Sequence, residues 1–257
     1  AGSISDGDDL SARLDLRRGP REMRRLARTF DGMFARLETS FLSKKQFTAD
    51  ASHELRTPVA VILAECDRAR RKAETKEDFL ASINVIEQQG NKMNTLIEQL
   101  LSLTRIQQGT EKYPLRVCDL SGFVDACCDE FVPADERGMT LETDIEPGVA
   151  AAYNPSLLSR AMFNLMQNAY KYGREGGNIR VSLCQENGCA VISVKDDGPG
   201  IPKAEQEKIW QRFYRCDTSR AEGGTGLGLS LVREIALVHH ARAEVVSEPG
   251  KGCDFRI

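Results

Sequence analysis

The stretch Phe47-Thr48-Ala49-Asp50-Ala51-Ser52-His53-Glu54-Leu55-Arg56-Thr57-Pro58-Val59 carries one of only three histidines in the chain. It sits inside a long apolar repeat. Upstream, Leu26, Phe30, Met33 and Leu37 recur at alternating spacings of four and three; downstream, Leu55, Val59 and Ile62 continue the stripe, which is the signature of an amphipathic helix. His53 and Thr57 are four apart, so both belong to one helix face. Pro58 deprives the Glu54 carbonyl of its helical hydrogen bond and is expected to kink or loosen the helix there. An interior proline costs a helix roughly 3 kcal/mol, so a demand other than helix stability favours it.

Working outward, the helical repeat predicts a first helix from Arg21 to about Arg71 and a turn within the polar stretch 72–78. A second helix follows, on which Phe79, Ile83, Ile86, Gly90, Met93, Ile97 and Leu100 form the stripe. A hairpin with one apolar face per helix cannot bury its own stripes. Two hairpins pairing into a four-helix bundle can, and a homodimer is expected. Before Arg21 the sequence is polar and without period, and it reads as a connector. Gly109 and Pro114 bound a linker.

Beyond Pro114 the periodicity changes. Strands are predicted at 115–120, 140–145, 179–184, 190–195, 244–247 and 253–257. Helices are predicted at 122–136, with Pro133 a break, at 155–172 and at 228–240. Strands mixed with helices after a purely helical half indicate a separate α+β sandwich. The boundary falls near 107–114.

Composition excludes several classes. The 257 residues hold 35 basic and 38 acidic side chains, which leaves no global footprint for nucleic acid. Cys66, Cys118, Cys127, Cys128, Cys184, Cys189, Cys216 and Cys253 form no CxxC pair, and read as reduced thiols rather than metal ligands or a disulfide scaffold. The longest apolar run, Val59 to Ala64, is far short of the roughly 18 residues a membrane span needs. The chain lacks a signal peptide and does not begin with Met, and it reads as an excerpt of something longer.

Three further stretches carry chemistry. Asn164-Leu-Met-Gln-Asn168-Ala-Tyr-Lys171-Tyr172 puts two amides four apart on one helix face. Amide oxygens suit Mg²⁺ already partly satisfied by phosphate. Lys171 supplies a point charge for phosphates and Tyr172 a flat ring for a base. Val194-Lys-Asp196-Asp-Gly198-Pro-Gly200-Ile-Pro202 is a strand running into a glycine turn, with a carboxylate placed to accept a hydrogen bond from an exocyclic amine. Gly223-Gly224-Thr-Gly226-Leu-Gly228-Leu opens a helix whose amides and dipole favour phosphate. Singly, each is equally an ordinary cap or turn.

Together and in this order, the three resemble the N box and the two glycine boxes of the Bergerat (GHKL) ATP-binding fold. Ile209-Trp-Gln-Arg-Phe213-Tyr214-Arg215 resembles its aromatic F box, with 216–224 as the ATP lid. His-Glu-Leu-Arg-Thr-Pro, preceded by Phe47 and Ala51-Ser52, resembles the phospho-acceptor box of sensor histidine kinases. Gly7-Asp-Asp-Leu-Ser-Ala-Arg13 with the helix start at Glu22 is similar to the second half of a HAMP relay domain.

These resemblances imply a multidomain chain. A partial HAMP-like connector covers 1–40, a dimerisation and phosphotransfer hairpin 41–110, and a catalytic ATP-binding domain of the Bergerat fold 111–257. They imply His53 as phospho-acceptor, Glu54 as the acid assisting its deprotonation, and Thr57 as the residue tied to phosphatase activity. Asn168 is implied as the Mg²⁺ ligand with Asn164 assisting, Lys171 as the phosphate contact and Tyr172 as the ring beside adenine. Asp196 is implied as reader of the adenine amino group, and Arg215 as a lid arginine near the γ-phosphate. Gly198, Gly200, Gly224, Gly226 and Gly228 form the ATP-binding turns. One departure, Asn154 where such kinases usually carry Asp before the helix, leaves capping intact.

The expected activity is ATP- and Mg²⁺-dependent autophosphorylation of His53, followed by transfer to an aspartate of a response regulator receiver domain, together with regulator phosphatase activity. The implied setting is the cytoplasmic part of a bacterial inner-membrane protein, joined to the membrane through an upstream segment. Regulator choice would be read around 60–67 and the facing part of the second helix. A GHKL machine that hydrolyses ATP to move itself is disfavoured, because such families usually place Glu where Asn164 stands, and His53 in its box would go unexplained. A catalytically silent scaffold is disfavoured because every matched position is intact.

Overall fold

A computed structural model describes residues 21–72, 75–107, 113–131, 137–216 and 224–257. The connector before Arg21, the break at Pro133, and most of the lid and linker expected from the sequence lie outside these residues. The chain divides into two compact units, one ending at Ile86 and the other running from Glu87 to Ile257.

The first unit is helical. α1 spans Arg21–Lys72, 52 residues, and continues through Pro58, which is buried. Its hydroxyl side chains turn back onto the preceding turn: Thr48 Oγ1 donates to the Lys44 carbonyl at 3.1 Å and Ser52 Oγ to that of Thr48 at 2.8 Å. α2 spans Lys76–Gln107, so that only its start, to Ile86, belongs to this unit. It starts on a capping box, in which the Asp78 N–H donates to Thr75 Oγ1 at 3.2 Å and the Thr75 N–H to Asp78 Oδ2 at 3.1 Å. Arg68 Nη2, bonded at 3.0 Å to Ser82 Oγ, ties the two helices together. The stripe stays open: Leu26, Phe30, Met33 and Leu37 are 52, 40, 51 and 51 % exposed, and Phe79 and Ile83 are exposed as well.

The second unit is a sandwich. Strands β1 (Arg116–Asp119) and β3 (Ala150–Tyr153) pair antiparallel, as a two-stranded sheet. The main sheet contains β2 (Thr140–Ile145), β4 (Asn178–Glu186), β5 (Cys189–Lys195), β6 (Glu244–Ser247) and β7 (Cys253–Arg256), in the order β2-β4-β5-β7-β6. Among the described residues, only the β2–β4 pairing is parallel. One face alternates inward, with Ile179, Val181, Leu183, Ile192, Val194 and Phe255 buried. Helices α3 (Leu120–Glu130), α4 (Pro155–Tyr172) and α5 (Gly228–Val238) complete the layer. α4 packs on α5, and Ala161 and Leu165 of the one and Leu231 and Ile235 of the other are essentially inaccessible.

Several bounds moved. α3 starts at Leu120 rather than at 122, because Asp119 caps it by accepting the Gly122 N–H at 3.1 Å. β3, of sequence Ala-Ala-Ala-Tyr, was not expected at all, nor was the 3-10 turn Lys208–Trp210. α5 ends at Val238, since His240 takes a positive φ of 55°.

Candidate nucleotide site

Several segments separated in sequence converge on one cavity of about 360 Å³ in the second unit. α4 contributes Asn164, Asn168, Lys171 and Tyr172; the end of β5 contributes Asp196 and Gly200. The segment after the 3-10 turn contributes Tyr214 and Arg215, and the turn leading into α5 contributes Gly224 and Gly226, with Gly228 at the first position of the helix. The placement of α4 follows from its sequence. Asn154 caps its N-terminus, accepting the Leu157 N–H at 3.1 Å, Pro155 fits the first turn, and an apolar stripe from Leu157 to Ala169 faces the sheet. That leaves the polar positions 164, 168 and 171 on the cavity side.

Asp196 is the buried charge of the site, 3 % exposed. Its Oδ1 accepts the Gly198 N–H at 2.9 Å and the Cys253 N–H at 3.3 Å. Burial pushes its carboxyl up to about 6, against the opposing pull of those two amides. Cys253 and Cys216 line the same wall, and burial pushes their thiols up to about 11 and about 12.

Asn164 is anchored by its own amide, which donates to the Arg160 carbonyl at 2.7 Å and leaves Oδ1 beside Gly228. A Cβ at Gly228 would lie 2.8 Å from that oxygen, so glycine lets the start of α5 reach the amide. Asn168 is half-buried and its side chain makes no hydrogen bond among the described residues. Neutral oxygens of this kind suit Mg²⁺ shared with phosphate. Lys171 Nζ donates to Tyr172 Oη at 2.9 Å and lies 4.6 Å from the ring centroid, so the ammonium covers one face of the ring expected to meet a base. Gly226, at φ 68°, accepts the Phe213 N–H at 2.9 Å, and a Cβ there would lie 2.7 Å from the Phe213 carbonyl carbon.

Gly198 is buried behind the cavity rather than lining it; its N–H holds Asp196 in place. Sequence reasoning did not anticipate Lys92, Thr95 and Gln99, from the second half of α2, on the cavity wall. Gln99 Oε1 accepts from Thr225 Oγ1 at 2.6 Å, Arg160 Nη1 bonds Ser102 Oγ, and Gln107 Nε2 donates to Glu234 at 3.2 Å. Lys92, Thr95 and Gln99 lie off the apolar stripe of the second helix, where the sequence shows them only as polar residues.

His53, Glu54 and Thr57 belong to the first unit. His53 and Thr57 are exposed and Glu54 is half-buried. Thr57 Oγ1 donates to the His53 carbonyl at 3.3 Å, not to the Glu54 carbonyl that Pro58 leaves without its helical donor. Among the described residues, no helix is long and apolar enough to cross a membrane.

Family models match the chain in three successive stretches. Residues 1–39 match the HAMP domain, 43–109 the His Kinase A (phospho-acceptor) domain, and 153–257 the Histidine kinase-, DNA gyrase B-, and HSP90-like ATPase. The chain is 37 % identical over 223 residues to the sensor histidine kinase RppB of Synechocystis, covering 85 % of this chain and 49 % of that protein. It is 33 % identical over 257 residues to the sensor protein CutS of Streptomyces coelicolor, covering 98 % and 61 %. It thus spans about half to three-fifths of these relatives. A structure of the histidine kinase ThkA in complex with the response regulator protein TrrA shares the fold, with a TM-score of 0.68 at 22 % identity over 86 % of this chain and 62 % of that one. With all three domain matches in succession and relatives of one kind, the chain belongs to the sensor histidine kinase family.

Proposed function

We propose that this chain is the catalytic core of a two-component sensor kinase, which binds ATP·Mg²⁺ and phosphorylates its own His53. The observation that carries the reading is the cavity itself, which gathers amides and a lysine from α4, a buried carboxylate from the turn after β5, and glycine turns from there and from the approach to α5. In this reading Asp196 accepts from the adenine amino group, Lys171 and Arg215 meet the phosphates, and the start of α5 cradles them. Asn168, with Asn164 beside it, would hold Mg²⁺, which supplies charge neutralisation to the phosphate oxygens when bound.

His53 acts as the nucleophile. One ring nitrogen attacks the γ-phosphorus, the bond from that phosphorus to the bridging oxygen breaks, and ADP leaves with the electron pair. The proton on the other ring nitrogen passes to Glu54, so the phosphorylated ring ends neutral. Exposure of His53 on α1 allows both ATP and a receiver domain to reach it. The phosphoryl group then moves to an aspartate of a response regulator. Thr57, one turn along, positions a water that attacks the phosphorus of the regulator's phospho-aspartate, so that the bond to the carboxylate oxygen breaks and inorganic phosphate leaves.

The open stripe of Leu26, Phe30, Met33 and Leu37 fits a homodimeric four-helix bundle. Residues 1–40 then act as the HAMP relay, 41–110 as the phosphotransfer hairpin and 111–257 as the ATP-binding domain. The HAMP match supports a cytoplasmic position beneath an upstream anchor in a bacterial inner membrane. Incubation with γ-labelled ATP·Mg²⁺ should give an acid-labile, base-stable label on the protein that chases onto a receiver domain. An acid-stable label, or none, would overturn the reading.

A further inference from the structure

We propose that Arg137 is a positioning residue for the phosphate-binding end of the cavity, acting through the last turn of α4. The inference rests on reading the cavity as an ATP site. Arg137 does not line that cavity; it is half-buried at the approach to β2. Its guanidinium grips the end of α4. Nη1 donates to the carbonyls of Tyr170 and Lys171, both at 2.6 Å, and Nη2 donates to the Gly173 carbonyl at 2.9 Å. The guanidinium carbon also lies 5.7 Å from the Tyr170 ring centroid, and the Arg137 carbonyl accepts the Gly176 N–H at 2.8 Å.

The end of α4 explains why such a grip is needed. Helix ends leave carbonyls without partners, and the usual remedy is a left-handed glycine that brings in backbone N–H groups. Gly173 instead has φ −62° and ψ 164°, an extended conformation, with one N–H reaching back to the Ala169 carbonyl. Arg137 therefore supplies the missing donors from 33 to 36 residues away in sequence. Two consequences bear on the ligand. The Lys171 main chain is fixed while its ammonium stands in the cavity. The guanidinium also offsets the negative end of the α4 dipole, which would otherwise oppose a polyphosphate bound nearby. Both effects act on the anionic part of a nucleotide rather than on its base.

The test compares ATP·Mg²⁺ with adenosine on the full chain carrying Arg137→Gln or Arg137→Lys. Titration calorimetry reads ATP and ligand-observed NMR reads adenosine. R137Q should weaken ATP by about tenfold, as expected for losing charge-assisted bonds, and adenosine by less than about twofold. R137K keeps the charge with fewer aligned donors and should weaken ATP by about threefold. Should R137Q not fold, R137K alone decides, by a threefold ATP loss with adenosine unchanged. Equal losses for ATP and adenosine, or unaltered ATP affinity beside a lowered melting temperature, would reduce Arg137 to a structural cap. Failure of the wild type to bind ATP would remove the nucleotide reading itself, and this inference with it.

Discussion

Replacing Asp196 with Asn should abolish nucleotide binding and at the same time make the protein more stable. The carboxyl is 3 % exposed and burial lifts it from its ordinary 3.8 to about 6. At 1.36 kcal/mol per pH unit, carrying that charge inside the fold costs roughly 3 kcal/mol above pH 7. The sign follows from the raised value: stability is highest below the unfolded carboxyl range and declines as pH rises through about 6. Asn keeps the shape and can still accept the Gly198 and Cys253 N–H groups through Oδ1, so it escapes the cost. What it cannot do is accept from an adenine amino group with the remaining atom, which becomes a donor. Losing a hydrogen bond to a charged acceptor and leaving a buried donor unpaired amounts to about 3–5 kcal/mol, or several hundredfold in affinity. Calorimetry with ATP and thermal melts at about pH 8 and about pH 4.5 read both effects. The variant should melt higher at pH 8, by roughly 2–4 °C per kcal/mol, and the gap should shrink to about a third at the lower pH. An Asn variant that binds ATP normally would refute the base-reading role. One that is less stable at pH 8 would refute the buried-charge argument.

Two other substitutions probe different links. Gly226→Ala places a Cβ 2.7 Å from the Phe213 carbonyl carbon at a φ of 68°, so backbone must move. A strain of about 1–3 kcal/mol is expected, read as at least a fivefold loss of ATP affinity and faster amide exchange at Phe213; unchanged values would show that this pairing does not shape the cavity. Thr57→Ala loses only a 3.3 Å bond to the His53 carbonyl, so autophosphorylation should stay within about twofold while regulator dephosphorylation slows more than about tenfold. Equal losses of both rates on one preparation would leave Thr57 a helix-surface residue.

Legibility in the sequence tracked the range of the forces involved. α1 was expected to end at Arg71 and ends at Lys72, because a four-three apolar repeat is local and periodic. The strands rich in Val and Ile were found for the same reason. β3 was not, since Ala150-Ala-Ala-Tyr153 has neither β-branching nor alternation, and only its pairing with β1 makes it a strand. The glycine turns and paired amides were legible as motifs because each needs particular residue types at short spacing. Arg137 was invisible because its carbonyl partners come from α4, beyond two intervening strands. Lys92, Thr95 and Gln99 were equally hidden, since polar residues beside an apolar stripe declare no partner until the fold supplies one.

The central claim is that ATP bound in the cavity phosphorylates His53, and one paired measurement tests it most directly. Wild type and His53→Ala are titrated with ATP·Mg²⁺ by calorimetry and, from the same preparations, incubated with γ-labelled ATP. His53 and the cavity belong to different compact units, so the account predicts ATP affinities within about threefold of one another. It predicts an acid-labile label on the wild type and none on the variant. Label persisting on His53→Ala would contradict the account.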